Sequence, residues 1–133
     1  MKQNGFYLDL STPENKERNN IVSDIVAKYE KKARMGEATL ILYCIDMFCA
    51  GVKYQQEVIN AELKFECSSK VIGNTFITSM NEAVKEADIV AFSSDLPLLL
   101  ECGKDCFNNG IHYANTKFHD AVNEICEMEI SLL

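Results

Sequence analysis

Both histidines of the chain and two of its six cysteines fall in one short stretch, from Cys102 to His119. Thiolate and imidazole are the ligands that hold zinc, so Cys102, Cys106, His112 and His119 form a candidate metal set. Cys102 and Cys106 are one helical turn apart and direct both sulfurs the same way. His112 and His119 are two turns apart, about 10 Å along a helix axis. Two imidazoles so far apart hardly converge on one ion at nitrogen–metal distances of about 2 Å. The usual zinc pattern has closer histidines and a longer gap between the pairs. The competing reading is packed thiols beside surface histidines. Cys44 and Cys49 lie within an apolar run and read as core, and Cys67 has no recognisable context.

Nucleophilic chemistry would pair Cys102 or Cys106 with His112 or His119 across an expected turn at Asn108–Asn109–Gly110. Glu101 and Asp105 oppose the thiolate such a reaction requires. The dipeptide His119–Asp120 also occurs in metal-dependent phosphohydrolases, but no further ligands are spaced around it. No catalytic residue is assigned, and no cofactor is called for. Whether the chain is an enzyme stays open.

The carboxylates of the last helix offer different chemistry. Asp120, Glu124 and Glu127 share a face by steps of four and three. Glu127 and Glu129 sit near the helix C-terminus, where the dipole opposes negative charge at a cost of roughly a few tenths of a kcal/mol each. A solvated face with stability to spare explains them. So does a strip that docks a basic protein, with Asp120, Glu124 and Glu127 as its partner-binding residues.

Charge is unevenly spread within a formal total of −7. Met1–Gly36 carries seven Lys/Arg against five Asp/Glu, and the remainder six against fifteen. An acidic body repels phosphate backbones and anionic membrane surfaces, so neither nucleic acid nor membrane is expected as a partner. A basic protein would be steered toward it. The basic stretch Lys28–Arg34 is accounted for by its place at a helix C-terminus, and Tyr29, its one aromatic, gives no platform for base stacking.

These residues must be positioned by helices. Ser11 or Thr12 can cap a helix with Pro13 in its first turn. Ile21, Val22, Ile25, Val26 and Tyr29 then recur at helical spacing, with Gly36 as the expected stop. A second helix opens near Glu37 and is apolar almost all round from Leu40 to Ala50. Residues 61–93 are ambiguous. One reading is a helix with Ile72, Phe76, Met80, Ala83, Ala87 and Ala91 on a stripe. The other has a strand in Ala61–Cys67, a Gly73–Asn74 hairpin, a capping box of Ser79 and Glu82, and a strand in Ala87–Ser94. The helix–strand unit of dehydrogenase nucleotide domains is not supported, because its glycine fingerprint is missing. Asp95 is a candidate cap for a short helix that Asn108–Gly110 would stop. The final helix places Ile111, Ala114, Phe118, Ala121, Val122, Ile125 and Leu132 on one side.

Length and composition agree with a single globular domain over residues 1–133. The expected fold is mainly α, a bundle of about five helices. The alternative is α+β with a small sheet within residues 61–93. No export signal is read at the start, so thiols in a reducing cytoplasm are expected. The expected function is a small acidic protein-interaction module, an inhibitor or immunity-type protein that binds and blocks a basic protein. The alternative is a Cys/His-based metal-binding or enzymatic domain. Self-association is a further expectation, because the greasy second helix needs extensive cover.

Overall fold

The computed structural model describes residues 13–65, 71–89 and 95–132, the side chains of residues 14 and 128–132 excepted. The mainly α class holds, and no strand occurs among the described residues. The described residues form four α-helices, where about five were expected: α1 (Pro13–Tyr29), α2 (Glu37–Leu63), α3 (Ile72–Glu86) and α4 (Leu96–Leu132), with a 3-10 turn at Glu30–Lys32 after α1. The expected caps Ser11 and Thr12 lie outside the described residues, as do Cys67 and the second half of the expected strand over 87–94.

Three local expectations are corrected. Gly36 does not stop α1. It is the N-cap of α2, with extended backbone (φ −67°, ψ 159°), and its carbonyl accepts the Leu40 N–H at 3.1 Å. Residues 72–86 form one helix, so Gly73–Asn74 makes no hairpin, and Ser79 and Glu82 lie inside α3. The helical stripe wins there because Phe76, Met80, Ala83 and Ala87 all reach the core, which a two-residue period would not allow. The third correction is Asn108–Asn109–Gly110, which does not break the chain, because α4 runs through it.

Gly110 is retained mid-helix because of what lies opposite. A Cβ there would collide with the Phe48 carbonyl oxygen and stand 2.9 Å from the Val52 nitrogen. Gly51 is the reciprocal case, its face pressed on the Phe107 carbonyl. The two glycines let the backbones of α2 and α4 touch, a contact any side chain would prevent. Contacts along this pair advance together. The Tyr43 hydroxyl donates to the Leu99 carbonyl at 2.8 Å, and Gln55 Nε2 donates to Asn115 Oδ1 at 2.8 Å. The two helices are therefore parallel.

Around this central pair the bundle alternates in direction. α1 runs opposite to α4: Lys117 meets Glu17 at 3.1 Å at one end, and the Tyr29 hydroxyl donates to Asp105 Oδ2 at 2.5 Å at the other. α3 returns along α2, and its Phe76 packs edge-on against Phe107, ring centres 5.5 Å apart. The core sits on the central pair: Leu40, Tyr43, Cys44, Ile45 and Met47 from α2 are fully buried against Leu99, Cys102 and Cys106. Each large apolar side chain so buried contributes roughly 1.5–3 kcal/mol.

Candidate functional site

Cys102 and Cys106 do point the same way, and that way is inward. Both are 0% exposed, and both hydrogen-bond with the buried thiol of Cys44 across the helix pair. His112 and His119 are exposed on the outside of α4. The structure does not bring the two thiols and two imidazoles together. Among the described residues, no group of three or more His, Cys, Asp or Glu is placed to hold a metal ion.

Nor are the core thiols poised as nucleophiles. The hydrogen bond with Cys44, followed by burial, raises the Cys102 thiol far above its ordinary value. For Cys44, the hydrogen bond with Cys102 favours the thiolate, but that with Cys106 and burial outweigh it, so its thiol is raised too. These are inert packing groups. Cys49 and Cys126 are exposed, and among the described residues no cysteine is in a disulfide. Cys49 borders an open cleft of about 780 Å³ between α2 and α3, lined by both charge signs, including Asp46, Lys53, Glu82 and Lys85. Neither histidine lines it, so Cys49 has no imidazole base there.

Asp120, Glu124 and Glu127 are all exposed on the last turns of α4. Helix lengths explain why. α4 has 37 residues and α2 has 27, about 55 and 40 Å at the standard rise. The two helices are parallel and nearly in step from Tyr43 and Leu99 onward, so α4 outruns its partner. Every residue from 119 to 127 is exposed. Residues 118–133 hold four carboxylates and no lysine or arginine. The nearest cation on α4, Lys117, is engaged by Glu17 of α1, whose hydrogen bond raises the lysine's pKa.

The apolar side of the last helix behaves differently from the sequence expectation. Ala114 is buried and Phe118 half-buried, but Val122 is 38% exposed and Ile125 56%. Below them a cleft of about 630 Å³ opens between α2 and α4, lined by Val52, Ile59, Tyr113, Ala114 and Phe118 among others. The apolar line of α4 thus passes from core, through a cleft, to open surface. Sequence reasoning gave Asp120, Glu124 and Glu127 a face of their own, which lies largely around the far side of α4 from this line, and missed Val122 and Ile125 as surface groups. Helical spacing shows which residues share a side, not whether anything lies against it.

Among the described residues no helix is long and apolar enough to cross a membrane. No protein-family model, characterised protein or solved structure matches the chain.

Proposed function

We propose that this chain is a small acidic protein-interaction module, of the inhibitor or immunity type, that docks a basic protein through the end of α4 and blocks it. One observation carries this reading. Residues 119–127 of α4 are all exposed, with Val122 and Ile125 on one side of the helix, Glu124 at the border of that side, and Asp120 and Glu127 around the far side. An apolar line in water, bordered by Glu124 on a helix end that has no lysine or arginine after Lys117, has the makings of an interface with a buried centre and a charged rim. The negative rim speeds encounter with a basic surface and discriminates against acidic ones.

The test is a comparative capture. Immobilised wild-type protein and the triple variant Asp120→Asn, Glu124→Gln, Glu127→Gln are exposed to the same extract of the native cell, at low and high salt. The reading expects a basic protein retained by the wild type, released by salt and lost by the variant. Identical recoveries on the two columns would refute it.

A further inference from the structure

Resting on that docking reading, we infer that the chain's own segment Phe6–Leu10 covers Val122 and Ile125 in the free protein and gates the docking surface. Three observations lead there. First, the fold delivers this segment to the right end of the bundle. α1 runs opposite to α4, and Glu17, in the second turn of α1, meets Lys117 at 3.1 Å. From Glu17 back to Pro13 is about 6 Å of helix. Those residues advance in the direction in which α4 continues from Lys117 toward Ile125. The chain entering α1 therefore arrives level with the exposed residues 119–127. Second, the reach suffices. Residues 1–12 lie outside the described residues and precede Pro13 directly. Leu10 is three residues from Pro13 and Phe6 seven, spans of up to about 10 and 23 Å for extended chain. Lys117 to Ile125 covers about 12 Å along α4, and the helix is about 10 Å across, so every side of its end is within range.

Third, the chemistry matches and the tether selects the occupant. Phe6, Tyr7, Leu8 and Leu10 place four large apolar side chains in five residues, opposite an apolar line that is bare at Val122 and Ile125. Residues 1–12 carry one base, Lys2, and one acid, Asp9, so the carboxylates of α4 neither recruit nor repel the segment as a whole. What favours it is connection. A segment joined to α1 meets the end of α4 at an effective concentration of about millimolar. A second copy or a foreign chain competes only at its concentration in solution. While Phe6–Leu10 is seated, the apolar centre of the docking surface is occupied. A partner must displace it, and its apparent affinity falls by the fraction of molecules that are open.

The test uses the full chain with labelled valine and isoleucine methyl groups. Nuclear Overhauser contacts are sought from the Val122 and Ile125 methyls to the rings of Phe6 and Tyr7. Mixing labelled with unlabelled chains separates contacts within one molecule from contacts between two. The expected result is contact within one chain, unchanged on dilution and lost in the triple variant Phe6→Ser, Leu8→Ser, Leu10→Ser. Circular dichroism verifies that this variant keeps its helices. In the capture experiment the same variant should hold the basic partner about threefold or more tightly than the wild type, because its surface is always open. No contact between residues 6–10 and the two methyl groups, or contact only between chains, would overturn the assignment of the segment and leave the docking reading standing. Contact within the chain, with partner retention unchanged in the serine variant, would overturn the gating. The methyl contacts are read on the free protein, so a failed capture refutes the docking reading and the gating with it, and the placement of the segment is decided separately.

Discussion

Replacing Gly110 by alanine tests the packing on which the placement of α4 depends. In an exposed helix interior the change would stabilise by about 0.5–1 kcal/mol, because glycine is the more costly residue there. Gly110 reverses that sign. The added methyl collides with the Phe48 carbonyl oxygen and crowds the Phe48 carbonyl carbon at 3.1 Å. Backbone atoms inside a helix cannot rotate aside, so α2 and α4 must separate. A gap of about 0.5–1 Å already forfeits a quarter to a half of the dispersion attraction across the seam. The seam holds Tyr43, Cys44, Phe48, Cys102, Cys106 and Phe107, so the loss spreads over the largest part of the core. Overpacking of this kind costs about 1–3 kcal/mol and more where backbone is the obstacle. The expected net loss is about 2–3 kcal/mol, a fall in Tm of roughly 10 °C for a chain of this size. Urea unfolding followed by far-ultraviolet circular dichroism measures it. Gly73→Ala is the control: Gly73 lies in α3 with nothing within 4 Å of an added Cβ, and its substitution should stabilise slightly. A Gly110→Ala variant as stable as the wild type, or more so, would show that the helices do not meet backbone to backbone.

Other consequences can be checked separately. Phe65 follows α2 at φ 58° and is 98% exposed, so Phe65→Gly should raise stability by about 1 kcal/mol in urea unfolding by removing a left-handed side chain. Native protein treated with an aromatic disulfide reagent should be labelled quickly at Cys49 and Cys126, with Cys44, Cys102 and Cys106 labelled only as the fold opens, as peptide mapping would show. Stability should also fall in alkali. The buried Cys44 and Cys102 keep their protons beyond the ordinary thiol value of 9.0, while the unfolded chain releases them. Raised folded values mean that this contribution is complete below about pH 9 and declines above it, by up to about 1.4 kcal/mol per pH unit for each thiol. Denaturant titrations from neutral pH upward should show that decline, and it should be shallower in Cys102→Ala.

Much of the fold is legible in the residues. Val22, Ile25 and Val26 recur at helical spacing and are buried, and the all-round apolar run from Leu40 to Ala50 supplies the centre of the bundle. Punctuation misleads. Glycine serves both where a chain turns and where two backbones touch, and Gly110 cannot be assigned to either use without knowing that Phe48 lies opposite. The stops that do occur carry no such mark. α3 ends at Asp88 in a left-handed conformation, where the Asp88 and Ile89 N–H groups donate to the Lys85 and Val84 carbonyls, a glycine-type stop without glycine. The short apolar stretches near residues 61–65 and 87–89 fit either period; Ala61–Leu63 prove to be the largely exposed last turn of α2, and residues 64–65 and 87–88 are turns, so alternation there marks a helix end and not a strand. At the candidate site, the acidic face could be read directly because charge and spacing belong to α4 alone. The exposure of Ile125 could not, because it depends on where α2 ends relative to a helix two elements later.

Amide hydrogen exchange of the whole protein, with and without the basic protein that the capture recovers, tests the docking role of α4 most directly. Unliganded, residues 119–127 should exchange far faster than residues 99–114 of the same helix, which pack on α2. With that partner bound, slowing should concentrate on residues 119–127. Exchange in residues 119–127 that stays unchanged under saturating partner, or protection confined to the opposite end of the bundle, would contradict the assignment of this surface.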